Sequence, residues 1–324
     1  MRVQSSNPLR LCTDVPVSLP AAMYLFQYAI TLPLTAAETD RGHHYMVARA
    51  SLEDSTSAEG IEPIVNVGIR HEDRDARLTF KRIHLPKGKV TKIMPARARF
   101  VNEFCINAST HVVNKLSSPF LKSKLTFELH TRLIDGDRGQ DRDTANPFNL
   151  SEASTVQRYT VDIASHHGDD IDPSKQTFTT PELAQRVPVS TKGWESTCTP
   201  CVTVYKLVKF ELKVMGLGRV AKNSVQKAMF NNFVTYHAKL YCWADSWYSQ
   251  TRDSILAFEA AELDKLSLFW ENVYAEGTKE RPSIPDAIWA LLPGDERERL
   301  QAQRGEEAEI EAEAEAETEP IPQQ

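Results

Sequence analysis

The feature that most limits how this chain can fold is a change of hydrophobic period near residue 216. From Thr203 to Val214 the residues alternate. Val208, Phe210, Leu212 and Val214 share one face, while Lys209, Glu211 and Lys213 share the other. A period of two is the mark of a β-strand with one face buried, here in an antiparallel-like sheet covered on one side and wet on the other. Beyond Gly216 and Gly218, Val225, Met229, Phe233, Tyr236, Leu240 and Trp243 recur every three or four residues, the stripe of a long amphipathic helix. Asp253 suits the N-cap of a second helix running to about Trp270.

Other alternating runs precede this switch. Tyr24, Phe26, Tyr28, Ile30 and Leu32 share a face, and Pro33 ends the strand. Residues 45–51 read as helix or strand. Ile61 to Val67 is β-branched but holds Pro63, which suits an edge. Leu78 to Leu85 places Thr79, Lys81, Ile83 and Leu85 together, and Leu125 to Leu133 does the same for Leu125, Phe127, Leu129, Thr131 and Leu133. Gln157 to Ala164 is a further strand candidate. Residues 134–152 read as a loop. Residues 165–200, polar and proline-bearing, read as a lid or a wrap-around connection.

Composition removes several classes of function. The net charge is −6, but residues 306–319 hold eight glutamates and no base, and without those eight negative charges the remainder stands at +2. That balance does not suit a general nucleic-acid binder. No apolar run reaches the length of a bilayer span, and no secretory leader is evident. Five irregularly spaced cysteines fit a reducing compartment better than a disulfide framework. The expected organisation is a loose extension over residues 1–20, a main domain over 21–275, and a C-terminal extension over 276–324 with an acidic Glu/Ala tail. Residues 300–324 are expected to offer no face to the core.

Few residues point to covalent chemistry. Cys198 and Cys201 form a CxxC, but they precede a strand and lack a second pair of ligands. Side chains of His43 and His44, like those of His166 and His167, diverge at adjacent positions and make no chelate alone. Gly216-Leu-Gly218 lacks the rest of a phosphate-binding signature. No metal and no enzyme constellation is expected. Lys81 is more informative: a lysine on an apolar strand face either snorkels to water or waits for an anion at the polar end of a cavity. Thr131 on its own reads as a satisfied core hydroxyl.

Short motifs follow one another in order: Tyr28 through Pro33, Gly42 with Tyr45-Met-Val-Ala-Arg-Ala-Ser51, Glu59-Gly-Ile-Glu62 with Val65-Asn66, Thr79-Phe-Lys81 with Ile83-His-Leu85, Asp162-Ile-Ala164, Asp172-Pro-Ser-Lys175, Tyr205-Lys-Leu-Val208, Met215-Gly-Leu217 and Tyr241-Cys-Trp-Ala-Asp-Ser-Trp247. In that order they resemble the phosphatidylinositol transfer protein family. The likeness covers roughly residues 22–270. It implies an α+β, START-like helix-grip fold, in which a curved, mostly antiparallel sheet and long helices enclose one phospholipid. It also implies headgroup-binding roles for Thr79, Lys81, Asn107 and Glu259, with Thr131 in support. Some positions depart from the family's pattern: His43 replaces a glutamine, Val112 and Asn114 replace a cysteine and a threonine, and Val214-Met215 replace a pair of membrane-inserting tryptophans. Val214 and Met215 remain the membrane-docking candidates.

The resemblance implies a non-enzymatic carrier that moves phosphatidylinositol between membranes in exchange for a second lipid such as phosphatidylcholine. The alternatives are a carrier of phosphatidic acid, or a sensor that holds phosphatidylinositol and presents it to a partner. No cofactor is expected apart from the bound phospholipid as cargo. The expected setting is cytoplasmic and peripheral to membranes, as a monomer.

Overall fold

The computed structural model describes residues 23–56, 59–85, 99–139, 144–151, 154–168, 170–215, 218–275 and 282–302. The N-terminal extension, the Glu/Ala tail and Gly216-Leu217 lie outside them.

Eight strands form one sheet: β1 (Tyr24–Leu32), β2 (Gly60–His71), β3 (Arg74–His84), β4 (Phe100–Ala108), β5 (His111–Ser117), β6 (Leu125–Asp135), β7 (Val156–Val161) and β8 (Val202–Leu212). Their spatial order is β2-β3-β4-β5-β6-β8-β1-β7. Every pairing is antiparallel except the parallel β1–β7 edge. β2 is the opposite edge. There the register slips between Pro63 and Val65, as proline's missing N–H requires. The helices are α1 (Ala36–Glu53), two short turns α2 (Pro181–Ala184) and α3 (Trp194–Thr197), α4 (Gly218–Cys242), α5 (Ala244–Trp247), α6 (Arg252–Ala275) and α7 (Asp286–Trp289). This is the α+β helix-grip arrangement of a curved, mostly antiparallel sheet gripping long helices.

Helix α1 starts where Thr35 and Glu38 make a reciprocal capping box. Arg186 then brackets the Glu38 carboxylate at 2.8 and 2.9 Å and donates to the Pro33 carbonyl at 2.8 Å. Leu183, Val189 and Trp194 are buried in the main core. The long 165–200 connection therefore wraps the body. Gly42 has a specific use: a Cβ there would lie 2.7 Å from the buried Trp247 ring, so only glycine lets α1 come this close. Helix α6 is capped by Thr251, whose hydroxyl accepts from the Ser254 N–H at 3.1 Å. The expected Asp253 cap is corrected by two positions.

The sheet is not wet on its far side. Val65, Ala76, Leu78, Phe80, Ile106, Ala108 and Val113 form one core on the outer face of β2–β5, together with Ile284, Ile288, Leu292 and Leu300 from the C-terminal segment. At the other end Leu25 and Leu207 pack under Leu150. Leu300 belongs to this cover, which corrects the expectation that residues 300–324 meet no core. Replacing the buried Ile288 by alanine is expected to lower the unfolding free energy by about 2–4 kcal/mol. Urea unfolding followed by tryptophan fluorescence measures it; an unchanged midpoint would show that the cover is dispensable.

Candidate functional site

Strand register fixes which side chains share the inner face. Opposite one another across the sheet are Arg77, Asn107, Val112, Thr131, Lys206, Tyr28 and Tyr159. A neighbouring row runs Asn66, Thr79, Cys105, Asn114, Leu129, Val208 and Phe26. A third begins at Lys81 and Glu103 and continues through Leu116, Phe127, Phe210 and Tyr24. Polar and charged groups thus gather on the β2–β5 side, and apolar ones on β6, β8 and β1.

The helices cover this face unevenly. Helix α1 comes close to both β2 and β6, the two strands that flank β3, β4 and β5, while α4 lies close to β1, β7 and β8, and α6 close to β2. The three middle strands have no helix approach of that extent. Their inward side chains Val112, Asn114 and Leu116 are only half-buried. Lys81 keeps 18% of its side-chain surface accessible.

The predicted residues occupy this region. Thr79, Lys81 and Glu259 line one cavity with Asn66, Val47 and Leu263. Its volume of about 40 Å³ suits one or two waters rather than a sugar ring, so a headgroup there requires the lining side chains to move. The Lys81 ammonium sits 3.2 Å from the Glu103 carboxylate. Burial works to lower the Lys81 pKa, but the Glu103 charge and hydrogen bond, with the charges of Cys105 and Glu259, together leave it raised. Asn114 donates to the same Glu103 at 2.6 Å. Glu259, from α6, is held by His44 at 3.1 Å and by the Asn66 amide at 3.2 Å, with Arg77 3.6 Å away. Burial would raise the Glu259 carboxyl, but the His44 hydrogen bond, the His44 and Arg77 charges and Asn66 leave it below its ordinary value. Asn107 stands opposite Arg77, its Oδ1 accepting from the Ser109 N–H at 2.9 Å. Thr131 lies two strands further along the same row, reached through Val112. It is 3% exposed.

Lys206 escaped the sequence reading. Its ammonium donates to the Thr131 hydroxyl at 3.3 Å and sits 5.2 Å over the Phe233 ring. Among the described residues it has no ion-pair partner. Outer-face lysines contrast with it: Lys115 and Lys209 both reach Glu128, at 3.1 and 3.5 Å. Burial pushes Lys206 down to about 8. His237 and His43 close this corner, their rings 5.5 Å apart. Burial, and then the Lys206 charge, brings His237 to about 3 and His43 well below its ordinary value, so both are neutral. His237 uses Nδ1 on the Phe233 carbonyl at 2.7 Å, and its buried Nε2 has no partner. The signal for Lys206 was parity. It continues the apolar series Val208, Phe210 and Leu212, so it had to point inward.

Two other features stand apart from this face. The Cys198 and Cys201 thiols touch at 2.7 Å within the core. Val214 is half-buried, and Met215 is fully exposed at the end of β8. Among the described residues no cluster of three or more His, Cys, Asp or Glu side chains could hold a metal, and no helix is long and apolar enough to cross a membrane.

A buried cation without a carboxylate beside it has a measurable consequence. Lys206 titrates near 8 when folded and near 10.4 when unfolded. Between those values the unfolded chain binds more protons, so unfolding free energy rises with pH from about 8 to about 10.4. In protein stripped of bound lipid, Lys206→Met is expected to add about 2–4 kcal/mol at pH 7 and to flatten that alkaline rise. Urea unfolding as a function of pH tests this; equal profiles would show that Lys206 is not strained by burial.

Comparison with known proteins agrees with this architecture. The family model described as phosphatidylinositol transfer protein matches residues 23–263. Phosphatidylinositol transfer protein 1 of Dictyostelium discoideum is 32% identical over 250 residues, 73% of this chain and 92% of its own. Phosphatidylinositol transfer protein 2 of the same organism is 28% identical, covering 75% of this chain and 96% of its own. Cytoplasmic phosphatidylinositol transfer protein 1 of Drosophila melanogaster is 28% identical, covering 72% and 86%.

Proposed function

The chain belongs to the phosphatidylinositol transfer protein family, and from that premise we propose that it extracts phosphatidylinositol from one membrane and delivers it to another, exchanging it for phosphatidylcholine. The observation that carries this reading is the inner face of the sheet, polar on the β2–β5 side and apolar towards β6, β8 and β1, with its middle strands only thinly covered by helix. An amphiphile with a hydroxylated, anionic head and two hydrocarbon chains has that same division.

The physical task is to avoid an aqueous intermediate. Each CH₂ moved into water costs about 0.8 kcal/mol, so roughly thirty of them make unaided desorption very slow. Leu116, Leu129, Phe127, Phe210 and the half-buried Val225 and Met229 of α4 supply the apolar wall that replaces the bilayer. No bond is made or broken.

Headgroup choice comes from the polar side. Thr79, Lys81, Asn107 and Glu259 offer donors and acceptors to the inositol hydroxyls, with Lys81 and Glu259 first released from part of their present pairing. Lys206, with Thr131 beside it, takes the phosphodiester, whose single negative charge compensates the buried ammonium. The phosphate is common to both lipids, so Lys206 serves either cargo. The hydroxyl-binding groups serve only one. Choline leaves them unpaired, at about 1–3 kcal/mol for each group that water does not reach. The protein acts as a cytoplasmic monomer that visits membranes transiently.

Two variants separate these roles in a vesicle-to-vesicle assay with labelled lipids. Thr79→Asp or Lys81→Ala is expected to abolish phosphatidylinositol transfer and to keep phosphatidylcholine transfer. Lys206→Ala is expected to reduce both by tenfold or more. Wild-type phosphatidylinositol transfer by the first pair, with folding intact, would remove the assignment of the inositol site.

A further inference from the structure

His43 and His44 are neighbours on α1, and their side chains part. The His43 ring lies 5.5 Å from that of His237, beside the Lys206 corner. His44 turns to α6, where its Nδ1 meets Glu259 Oε2 at 3.1 Å. An ionised carboxylate only accepts, so Nδ1 carries a proton and donates it. The other ring nitrogen, Nε2, faces the Asp40 carboxylate one helical turn earlier, at 4.0 Å. Asp40 is buried and accepts from Arg252 Nη1 at 3.0 Å. A line of contacts thus runs from Arg252 at the start of α6, through Asp40 and His44 of α1, and back to Glu259 on α6.

This line ends at the headgroup site. His44 lies one turn before Val47 and Ala48, which line the small cavity together with Thr79, Lys81 and Glu259. The two oxygens of Glu259 are used differently. Among the described residues Asn66 and Arg77 both address Oε1, at 3.2 and 3.6 Å, and His44 alone addresses Oε2. A carboxylate offers about four acceptor positions, so Glu259 keeps room for an incoming hydroxyl while His44 holds it. His44 also governs its charge. Burial works to raise the Glu259 carboxyl, and the hydrogen bond and charge of His44 are foremost among the influences that bring it below its ordinary value. Without the imidazole, so buried a carboxyl takes a proton more readily and accepts less.

We propose that His44 is the positioning residue of the inositol site, fixing the Glu259 carboxylate as a hydrogen-bond acceptor and so setting the preference for an inositol over a choline headgroup. The inference rests on the carrier reading and deepens it by naming what directs one of its headgroup contacts. A glutamate side chain is flexible, and a second group that orients it in advance lowers the cost of arranging it around a ligand. Asn66 is the partner that gives way. Its Oδ1 accepts from Arg77 Nε at 2.6 Å, so its amide can leave Glu259 Oε1 to a hydroxyl while the side chain stays anchored. A choline headgroup brings no hydroxyl and asks nothing of Glu259. His44 therefore matters for one cargo and not for the other.

Transfer of labelled phosphatidylinositol and phosphatidylcholine between vesicles by variants of the full chain tests the proposal. His44→Phe keeps a ring in the α1–α6 contact and removes the donor. His44→Asn gives up packing volume and keeps an amide near the place of Nδ1. Phosphatidylinositol transfer is expected to fall about tenfold or more in His44→Phe and to stay within about threefold of wild type in His44→Asn, with phosphatidylcholine transfer kept in both. A role in packing alone predicts the reverse order, with both lipids affected, and that result would overturn the proposal. His44→Leu repeats the comparison should His44→Phe not fold; failure of both to fold would make the imidazole structural and overturn it too. Glu259→Gln separates the inference from the reading beneath it. It is expected to lose phosphatidylinositol transfer, and His44→Phe added to it is expected to cost nothing further. Full phosphatidylinositol transfer by Glu259→Gln would remove Glu259 from the headgroup site. Loss with Glu259→Gln but not with His44→Phe would overturn the role of His44 alone. A wild-type chain that moves neither lipid would overturn the carrier reading itself.

Discussion

The interaction on which the architecture turns is the burial of positive charge under a helical layer. Lys81 has Glu103 beside it and Lys206 has only a hydroxyl and an aromatic face. Removing an ammonium from water is expensive unless an anion replaces the lost hydration. The outer face shows the ordinary solution, in which Glu128 sits among Lys115, Lys209 and His130. On the inner face that solution is left incomplete at Lys206. Neutral His43 and His237 flank it, adding polar nitrogen without negative charge. Such a corner suits an anion that arrives with its own apolar cover, and a phospholipid is one.

The rest of the fold makes this corner possible. Were α1 packed directly on β3–β5, inward Lys81, Glu103, Asn107 and Asn114 would have to be apolar. Instead α1 spans from β2 to β6, held at its start by the Thr35 box and Arg186 and further along by Gly42 against Trp247. Stability forgone under the helices is recovered on the other side of the same strands. There Leu78, Phe80 and Ile106 are sealed by Ile284, Ile288, Leu292 and Leu300. The middle of the sheet is thus inverted, with its dry packed face outside and its polar face within.

That inversion explains what could be read from the sequence. Strands β1, β6 and β8 and helix α4 announce themselves because alternation or a helical stripe separates apolar from polar residues in the usual sense; β3 shows its alternation but not its sense, since Leu78 and Phe80 face outward and Thr79 and Lys81 inward. Parity alone put Thr79 with Lys81, and Thr131 with Phe127 and Leu129, on shared faces. β4 and β5 stayed hidden. In Phe100–Ala108 the inward residues are Glu103, Cys105 and Asn107 and the outward ones Phe104, Ile106 and Ala108, so a reader expecting polar residues outside finds no consistent core face. The Lys81–Glu103 pair was beyond reach, because strand pairing rather than local pattern sets it. The far face of the sheet was misjudged because its cover comes from residues some two hundred positions away.

Two of the departures from the family's pattern, His43 and Asn114, each engage a neighbour of their own, His237 and Glu103. Asn114 in particular holds the carboxylate that neutralises Lys81. In the proposed headgroup site, turning Lys81 to a hydroxyl would leave Glu103 with Asn114, whose amide already donates to it at 2.6 Å.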